Sequence, residues 1–358
     1  MTGALFDKNP SVEPKESPGS KQRIFVLGIA DDVDESWENL QLIFETLGFP
    51  NSDLSGIKFV SDCKLLSIML GIQGCSSTHP CPYGECFMEL DGEKRGTCSR
   101  WTEWKRGTVR TLANLQSNYE AWCAETGEDK KRLPDYKSCQ YPPIDLYGWE
   151  YQDEKILVLY TPMPLHLLLG SGNSCLRMLE DTYQDFHKFY EMWGVSKVSF
   201  DFSGRDLKVL LSDDCLQEMN LILGDNEDSH MVVDYLAAVL RLYRTCVQKD
   251  LGVDMDWLQD VDNFKVKFRA LHLNENFRLR ESLKIHILCE HLQDYFILTG
   301  ETLAQTNDEF CESAHSYVRR QEEKHGLRMT KQHSGSRKRM KSLRLITIVN
   351  EKNKKFKR

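Results

Sequence analysis

The chain has 358 residues, of which 41% are hydrophobic and 28% charged, and its formal net charge is −8. This length suits two domains or one large domain with an insertion, and no apolar run approaches the roughly 18 residues that span a bilayer. Twelve cysteines are too few for a disulfide scaffold, and the N-terminus lacks the apolar segment of a secretory signal, so reduced thiols or metal ligands are favoured. We therefore expect an intracellular, globular protein and no membrane-spanning, secreted or fibrous class.

The first seventy residues alternate between strand and helix patterns. The acids and the serine of DDVDES at 31–36 suit a helix N-cap, and apolar residues then recur at spacings of three and four from Trp37 to Leu47. Such an alternation predicts a mixed α/β segment with a parallel pair of strands. The expected order is a disordered leader at 1–22, a strand at 23–30, the helix, a strand at 57–61 and a helix at 65–72.

The remainder of the chain predicts a helix-rich body. Residues 74–107 break all periodicity and are dense in Cys, Gly, Pro and charge, whereas the pattern from Val109 onward is mostly helical with a strand-like run at 156–160. We expect five regions, namely the leader 1–22, an α/β segment 23–73, a helical insertion 74–300, a helix 301–327 and a basic tail 328–358.

Charge is concentrated at the C-terminus. Residues 328–358 carry twelve Lys and Arg and one Glu, which gives +11 and leaves −19 on the rest of the chain. A basic tail that contains SRKRMK favours a polyanion such as DNA, or a nuclear-import receptor, as partner. The alternative is a solvated end whose charge only maintains solubility. The sequence leaves a homodimer open.

Asp62 follows directly after the predicted strand IKFVS. Open α/β sheets place functional groups at the carboxyl ends of their strands, so Asp62 is a candidate site residue. Alternatively, it caps the helix that follows.

Cysteines and histidines form two groups. The pair His286 and His291 lies within the H-x3–5-H range of structural zinc sites, although positions five apart do not quite share a face of an ideal helix. With two ligands from the early group they would make a closed Cys2His2 site, but two ordinary helix histidines are the alternative. The early group comprises Cys75, His79, Cys81, Cys86 and Cys98.

Glu312 lies in a helical pattern whose later turns carry Arg319 and Arg320. Its carboxylate could hold a divalent metal while the arginines face phosphate, or it could form ion pairs on a solvated helix. Trp101, Trp104 and the basic residues that follow give a weak hint of a nucleic-acid surface.

Together, these features resemble the catalytic core of Transib transposases and of the recombinase of vertebrate antigen-receptor gene assembly, and more closely a transposase-derived family. That family has an RNase-H-like fold with a DDE triad and a mostly helical, zinc-binding insertion. The segments that carry the resemblance are RIFVLGIADDVDESWENL, SDCKLLSIMLGIQGCSSTHPCPYGEC, TPMPLHLLLG, KIHILCEH and CESAHSYVRR.

The resemblance implies an incomplete RNase-H-like core interrupted by the helical insertion. It implies that Asp62 and Glu312 are catalytic and bind Mg²⁺ or Mn²⁺, and that DNA is the partner of a nuclear protein. It also implies a Zn²⁺ ion held by Cys81, Cys86, His286 and His291.

The sequence departs from the family pattern in two ways, and the second predicts an inactive protein. The cysteine pair is C-x4-C rather than C-x-x-C, and the chain begins at what resembles the third strand of the core, without the strand that carries the first catalytic Asp. The acids Asp31, Asp32 and Asp34 follow the wrong strand, so we interpret them as helix caps. Since two-metal cleavage needs carboxylates on both sides of the ions, half of the metal clamp is missing.

We therefore expect a transposase-derived DNA-binding protein whose ancestral activity was Mg²⁺-dependent DNA strand cleavage and transfer. The alternative is a non-enzymatic, zinc-binding nuclear module for protein interaction.

Overall fold

The structure of the chain is a computed structural model, which describes residues 2–4, 24–26, 34–49, 58–90, 101–197, 201–247, 256–277 and 279–303. The chain divides into two compact units, one formed by Met1–Leu54 with Asn307–Arg358 and the other by Ser55–Thr306. Several predicted features lie outside the described residues, namely Glu312, Asp31, Asp32, Cys98 and the basic tail.

In the first unit, strands β1 (Thr2–Ala4) and β2 (Ile24–Val26) pair antiparallel. Helix α1 (Trp37–Thr46) begins at Ser36, whose side chain accepts a hydrogen bond from the main-chain N–H of Asn39. This confirms the predicted N-cap, because an N-cap hydroxyl satisfies a helix N–H that has no partner within the helix.

The second unit is helix-rich with short strands, which agrees with a mixed α/β class. No helix in the described part of the chain is long and apolar enough to cross a membrane. The strands are β3 (Phe59–Ser61), β4 (Phe87–Leu90), β5 (Trp101–Lys105) and β6 (Tyr160–Pro162). The helices are α2 (Cys63–Met69), α3 (Leu112–Thr126), α4 (Ile156–Leu159), α5 (Pro164–Thr182), α6 (His187–Met192), α7 (Gly204–Leu210), α8 (Asp213–Ile222), α9 (Glu227–Val247), α10 (Asp256–Leu273), α11 (Leu283–His286) and α12 (Leu292–Thr299).

A parallel strand pair is present, but its members differ from those that the sequence predicts. Strand β3 pairs in parallel with β6, whereas β2 pairs with β1. The hydroxyl of Tyr147 ties the β3–β6 pair together, because it accepts from the N–H of Phe59 at 3.2 Å and donates to the carbonyl of Leu159 at 2.6 Å.

Two local predictions were wrong. The apolar run expected as a strand at 156–160 is the single-turn helix α4, and the strand begins only at Tyr160. A short apolar run does not distinguish a buried strand from a buried helical turn. Within the segment expected to be irregular, β4 and β5 form an antiparallel hairpin.

Close helix packing supports α11, which carries His286. Helix α5 packs against α9 and α11. At Gly170 of α5, a Cβ atom would lie 2.1 Å from the side chain of Lys284 on α11. Glycine at this position therefore leaves room for the Lys284 side chain, which would have to move if a larger residue stood there.

Candidate metal centre

Cys81, Cys86, His286 and His291 meet in one buried cluster, in which one ligand atom from each residue lies within 4.8 Å of the others. The Nε2 atom of His291 is 3.1 Å from the Sγ atom of Cys81 and 3.9 Å from that of Cys86. Both cysteines are fully buried, and the two histidines are 1% and 4% exposed. The two pairs therefore come together as the resemblance implied.

The cysteines lie on the segment between α2 and β4, which is fixed by pairing with the chain near Val109. The N–H of Glu85 donates to the carbonyl of Thr108 at 2.8 Å, and the N–H of Arg110 donates to the carbonyl of Tyr83 at 3.0 Å. At Gly84, a Cβ atom would lie 2.9 Å from the Sγ atom of Cys86. The tight approach between loop and cluster thus requires glycine.

A π-helical turn brings the two histidines to the same side. Residues Ile287–His291 adopt π-helical geometry between α11 and α12. Hydrogen bonds to the fifth preceding residue widen the turn, so that positions 286 and 291 align where an ideal α-helix would separate them. Their ring centroids are 5.1 Å apart. Such turns are frequent at functional sites.

Trp104 of β5 packs against the ring face of His286. The two rings stack with centroids 3.9 Å apart and an interplanar angle of 14°, and the indole N–H donates to the carbonyl of Glu281 at 3.3 Å. A carboxylate oxygen of Glu281 lies 3.7 Å from Nδ1 of His286. The carboxylate lies beyond hydrogen-bond distance of Nδ1, beside a ring that the stacked indole orients.

The electrostatics favour a thiolate in the cluster. Hydrogen bonding to Cys81, opposed by burial and aided by the two histidines, lowers the pKa of Cys86 to about 2. Burial raises the pKa of Cys81. Burial also disfavours the charged form of His286, but Cys86 and Glu281 outweigh it and raise the pKa of that ring. Thiolate is the form that binds metal.

The donor set fits zinc. Among the described residues, neither ring nitrogen of the buried His286 makes a hydrogen bond, and a buried polar atom without a partner is costly unless a ligand satisfies it. Two thiolates and two imidazoles are a ligand set of closed, tetrahedral structural zinc sites. The cluster could therefore hold a metal ion such as Zn²⁺.

Two described members of the early cysteine and histidine group, Cys75 and His79, do not join the cluster. Cys75 is exposed. The Nδ1 atom of His79 faces the carbonyl of Glu85 at 3.1 Å, so this histidine braces the loop. Cys289, between the two ligand histidines, is buried but lies outside the cluster.

Asp62 lies at the end of β3 and caps α2. Its Oδ1 atom accepts a hydrogen bond from the N–H of Leu65 at 2.8 Å, as the capping alternative expects. Nearby on the strand pair, the buried hydroxyls of Ser61 and Thr161 have no hydrogen-bond partner among the described residues. Among all the residues that the structure describes, the Cys2His2 cluster is the one group of three or more ligating side chains close enough to hold a metal ion.

The sequence analysis missed two residues that shape the cluster. Trp104 had suggested a nucleic-acid surface, but its ring packs on His286, and its neighbour Arg106 forms an ion pair with Asp294. Arg110 is fully buried beneath the cysteine loop. The last arginine of KRGTVR gives no signal of burial in the sequence, since most arginines are exposed.

No model of a known protein family matches the chain, and no curated protein matches it. The resemblance to transposase-derived proteins therefore remains a prediction from its motifs.

Proposed function

We propose that the protein is a transposase-derived DNA-binding protein whose helical body is closed by one structural zinc ion. The observation that carries the proposal is the buried Cys2His2 cluster. Four protein ligands leave no position for a substrate or water, which is typical of structural rather than catalytic zinc. The ion would join residues 205 positions apart, Cys86 and His291.

The zinc ion would stabilise the helical body by linking its two ends. Closing a long loop restricts the unfolded chain most, and metal binding contributes directly to the free energy of folding. We expect about one Zn²⁺ per chain, lost together with stability when Cys81→Ser and His286→Gln are combined. Cys75→Ser with His272→Gln is the matched control, because it changes the same residue types outside the cluster. Metal-free protein with unchanged stability would defeat the proposal.

DNA binding is proposed from the charge distribution and the resemblance. The tail carries +11, and phosphate neutralisation by Lys and Arg releases counterions, so affinity should fall steeply with salt. Replacing Arg337, Lys338, Arg339, Lys341 and Arg344 with Gln should weaken binding to duplex DNA and reduce its salt dependence. A control with the same change in charge replaces exposed cations of the body, namely Lys64, Lys130, Lys131, Lys188 and Arg269. If both variants lose DNA affinity equally, the tail does not make a specific contact with DNA.

The ancestral reaction of the proposed family is DNA strand cleavage, which needs Mg²⁺ between carboxylates. The resemblance assigns the binding of Mg²⁺ or Mn²⁺ to Asp62 and to Glu312. Asp62→Asn with Glu312→Gln tests this, because Asn keeps the helix cap but binds the ion poorly. We expect Mn²⁺ to raise the melting temperature of the wild type and not that of the double variant. If Mn²⁺ raises the melting temperature of the double variant as much as that of the wild type, Asp62 and Glu312 do not bind the ion.

A second candidate is a non-enzymatic zinc-binding nuclear module that binds proteins. The capping role of Asp62 favours it, and so do Val266 and Leu273, which lie seven positions apart on α10 and are 63% and 79% exposed. Absence of any salt-dependent binding to duplex DNA, in a protein that holds zinc, would favour this candidate.

A further inference from the structure

Arg110 is a buried cation that faces main-chain carbonyl groups of the loop bearing Cys81 and Cys86. Its side chain has no solvent exposure. The Nε atom donates to the carbonyls of Cys81 at 3.0 Å and Gly84 at 3.2 Å, and Nη2 donates to that of His79 at 3.2 Å. One guanidinium therefore holds three carbonyls within a span of six residues.

The same side chain connects the loop to a second segment. Nη2 also donates to the carbonyl of Lys137 at 2.9 Å, and Nη1 approaches the Sγ atom of Cys139 at 3.7 Å. The main chain of Arg110 pairs with Tyr83, which packs against the ring of His291. Arg110 thus fixes the path of the loop and the distance between the loop and the helical turn that carries His291.

We propose that Arg110 is the positioning residue of the metal centre, which holds the thiols of Cys81 and Cys86 in the geometry that zinc requires. This inference rests on the proposed zinc site. The planar guanidinium directs several N–H groups at once, whereas a lysine ammonium cannot reproduce the fork. Without the fork, the carbonyls of the loop lose their donors, and the loop is free to relax away from the histidines.

The expected effect is on zinc affinity, separately from stability. Residues behind the ligands usually change metal affinity by about 10–100-fold when they are replaced. We expect Arg110→Lys, which keeps the charge and loses the fork, to lower zinc affinity within about that range. Arg110→Met, which removes both, should lower it further.

The experiment uses the full chain and competition with a chromophoric chelator for Zn²⁺, with Co²⁺ as a spectroscopic probe. Asn173→Ala is the control, because Asn173 is also buried and bonds both the N–H and the carbonyl of Phe202, outside the cysteine loop. We expect this control to lower the melting temperature and keep the affinity. In Arg110→Lys, the thiolate-to-Co²⁺ bands should persist while affinity falls, which shows intact ligands in a poorer arrangement.

Two outcomes would overturn the inference. Zinc affinity of Arg110→Lys within about twofold of the wild type would show that the fork does not position the ligands. A fall in melting temperature that is equal with and without zinc would assign Arg110 to general packing. The proposed zinc site fails separately, and the inference with it, if the wild type binds no zinc. If Arg110→Met does not fold, Arg110→Lys alone decides the test.

Discussion

The Nε2 atom of His291 lies 3.1 Å from the Sγ atom of Cys81, although 210 residues separate them along the chain. This contact joins a loop near the start of the helical body to a helix near its end. Because both residues are buried beside Cys86 and His286, the contact belongs to a cluster that could hold a metal ion.

Gly84 should be intolerant of a side chain. A Cβ atom there would lie 2.9 Å from Sγ of Cys86 and 3.5 Å from the ring of His291. We expect Gly84→Ala to lower zinc affinity at least about tenfold, as changes beside metal ligands do. Gly74→Ala is the control, since nothing lies within 4 Å of its Cβ position. Competition with a chelator measures the zinc affinity of both variants. Equal zinc affinities of Gly84→Ala and Gly74→Ala would contradict the close approach at Gly84.

Trp104 should stabilise the centre through its stacked ring. Because the side chain is only partly buried, we expect Trp104→Ala to cost about 1–3 kcal/mol, below the usual loss for a core tryptophan. Trp104→Phe keeps an aromatic face and loses the hydrogen bond to Glu281, so its cost should be smaller. Urea unfolding of the zinc-loaded protein measures the difference. Equal costs for Ala and Phe would show that stacking contributes nothing.

Asp62 should contribute to stability as a helix cap, with or without Mg²⁺. We expect Asp62→Ala to cost about 1 kcal/mol and Asp62→Asn only a few tenths, because Asn caps nearly as well as Asp. Thermal unfolding in chelator-treated buffer measures both. A loss in the Asn variant as large as in the Ala variant would mean that the carboxylate charge, rather than the cap, is what stabilises the protein.

Tyr147 should stabilise the β3–β6 pair through its hydroxyl. Removing this hydroxyl in Tyr147→Phe leaves the N–H of Phe59 and the carbonyl of Leu159 without this partner. We expect a loss of about 1–3 kcal/mol. Tyr151→Phe, whose ring packs against Tyr147, is the control and should cost less. Urea unfolding that shows no difference would contradict the bridging role.

The four side chains of the cluster were predicted from the sequence, but the means by which they meet was not. Spacing left His286 and His291 as either zinc ligands or ordinary helix residues, and the resemblance selected Cys81 and Cys86 as their partners. The π-helical turn that aligns them depends on packing between α11, α12 and their neighbours, which local sequence does not encode. Arg110 was missed because its burial depends on carbonyls distant in sequence, such as that of Lys137.

Asp62 shows a different limit. A carboxylate after a strand and before a helix satisfies the sequence pattern of a catalytic residue and of an N-cap equally well. The hydrogen bond from Leu65 establishes the cap. The strand pairing was equally ambiguous, because a short apolar strand does not specify its partner. Strand β3 pairs with β6, which lies about a hundred residues further along the chain.

X-ray absorption at the zinc edge of the purified full chain shows whether two sulfur and two nitrogen ligands hold a zinc ion. We expect two sulfur scatterers at about 2.3 Å and two nitrogen scatterers at about 2.0–2.1 Å. Replacing Cys81 with Ser should remove one sulfur. A shell of oxygen and nitrogen without sulfur, or the absence of bound zinc, would contradict the proposed zinc site.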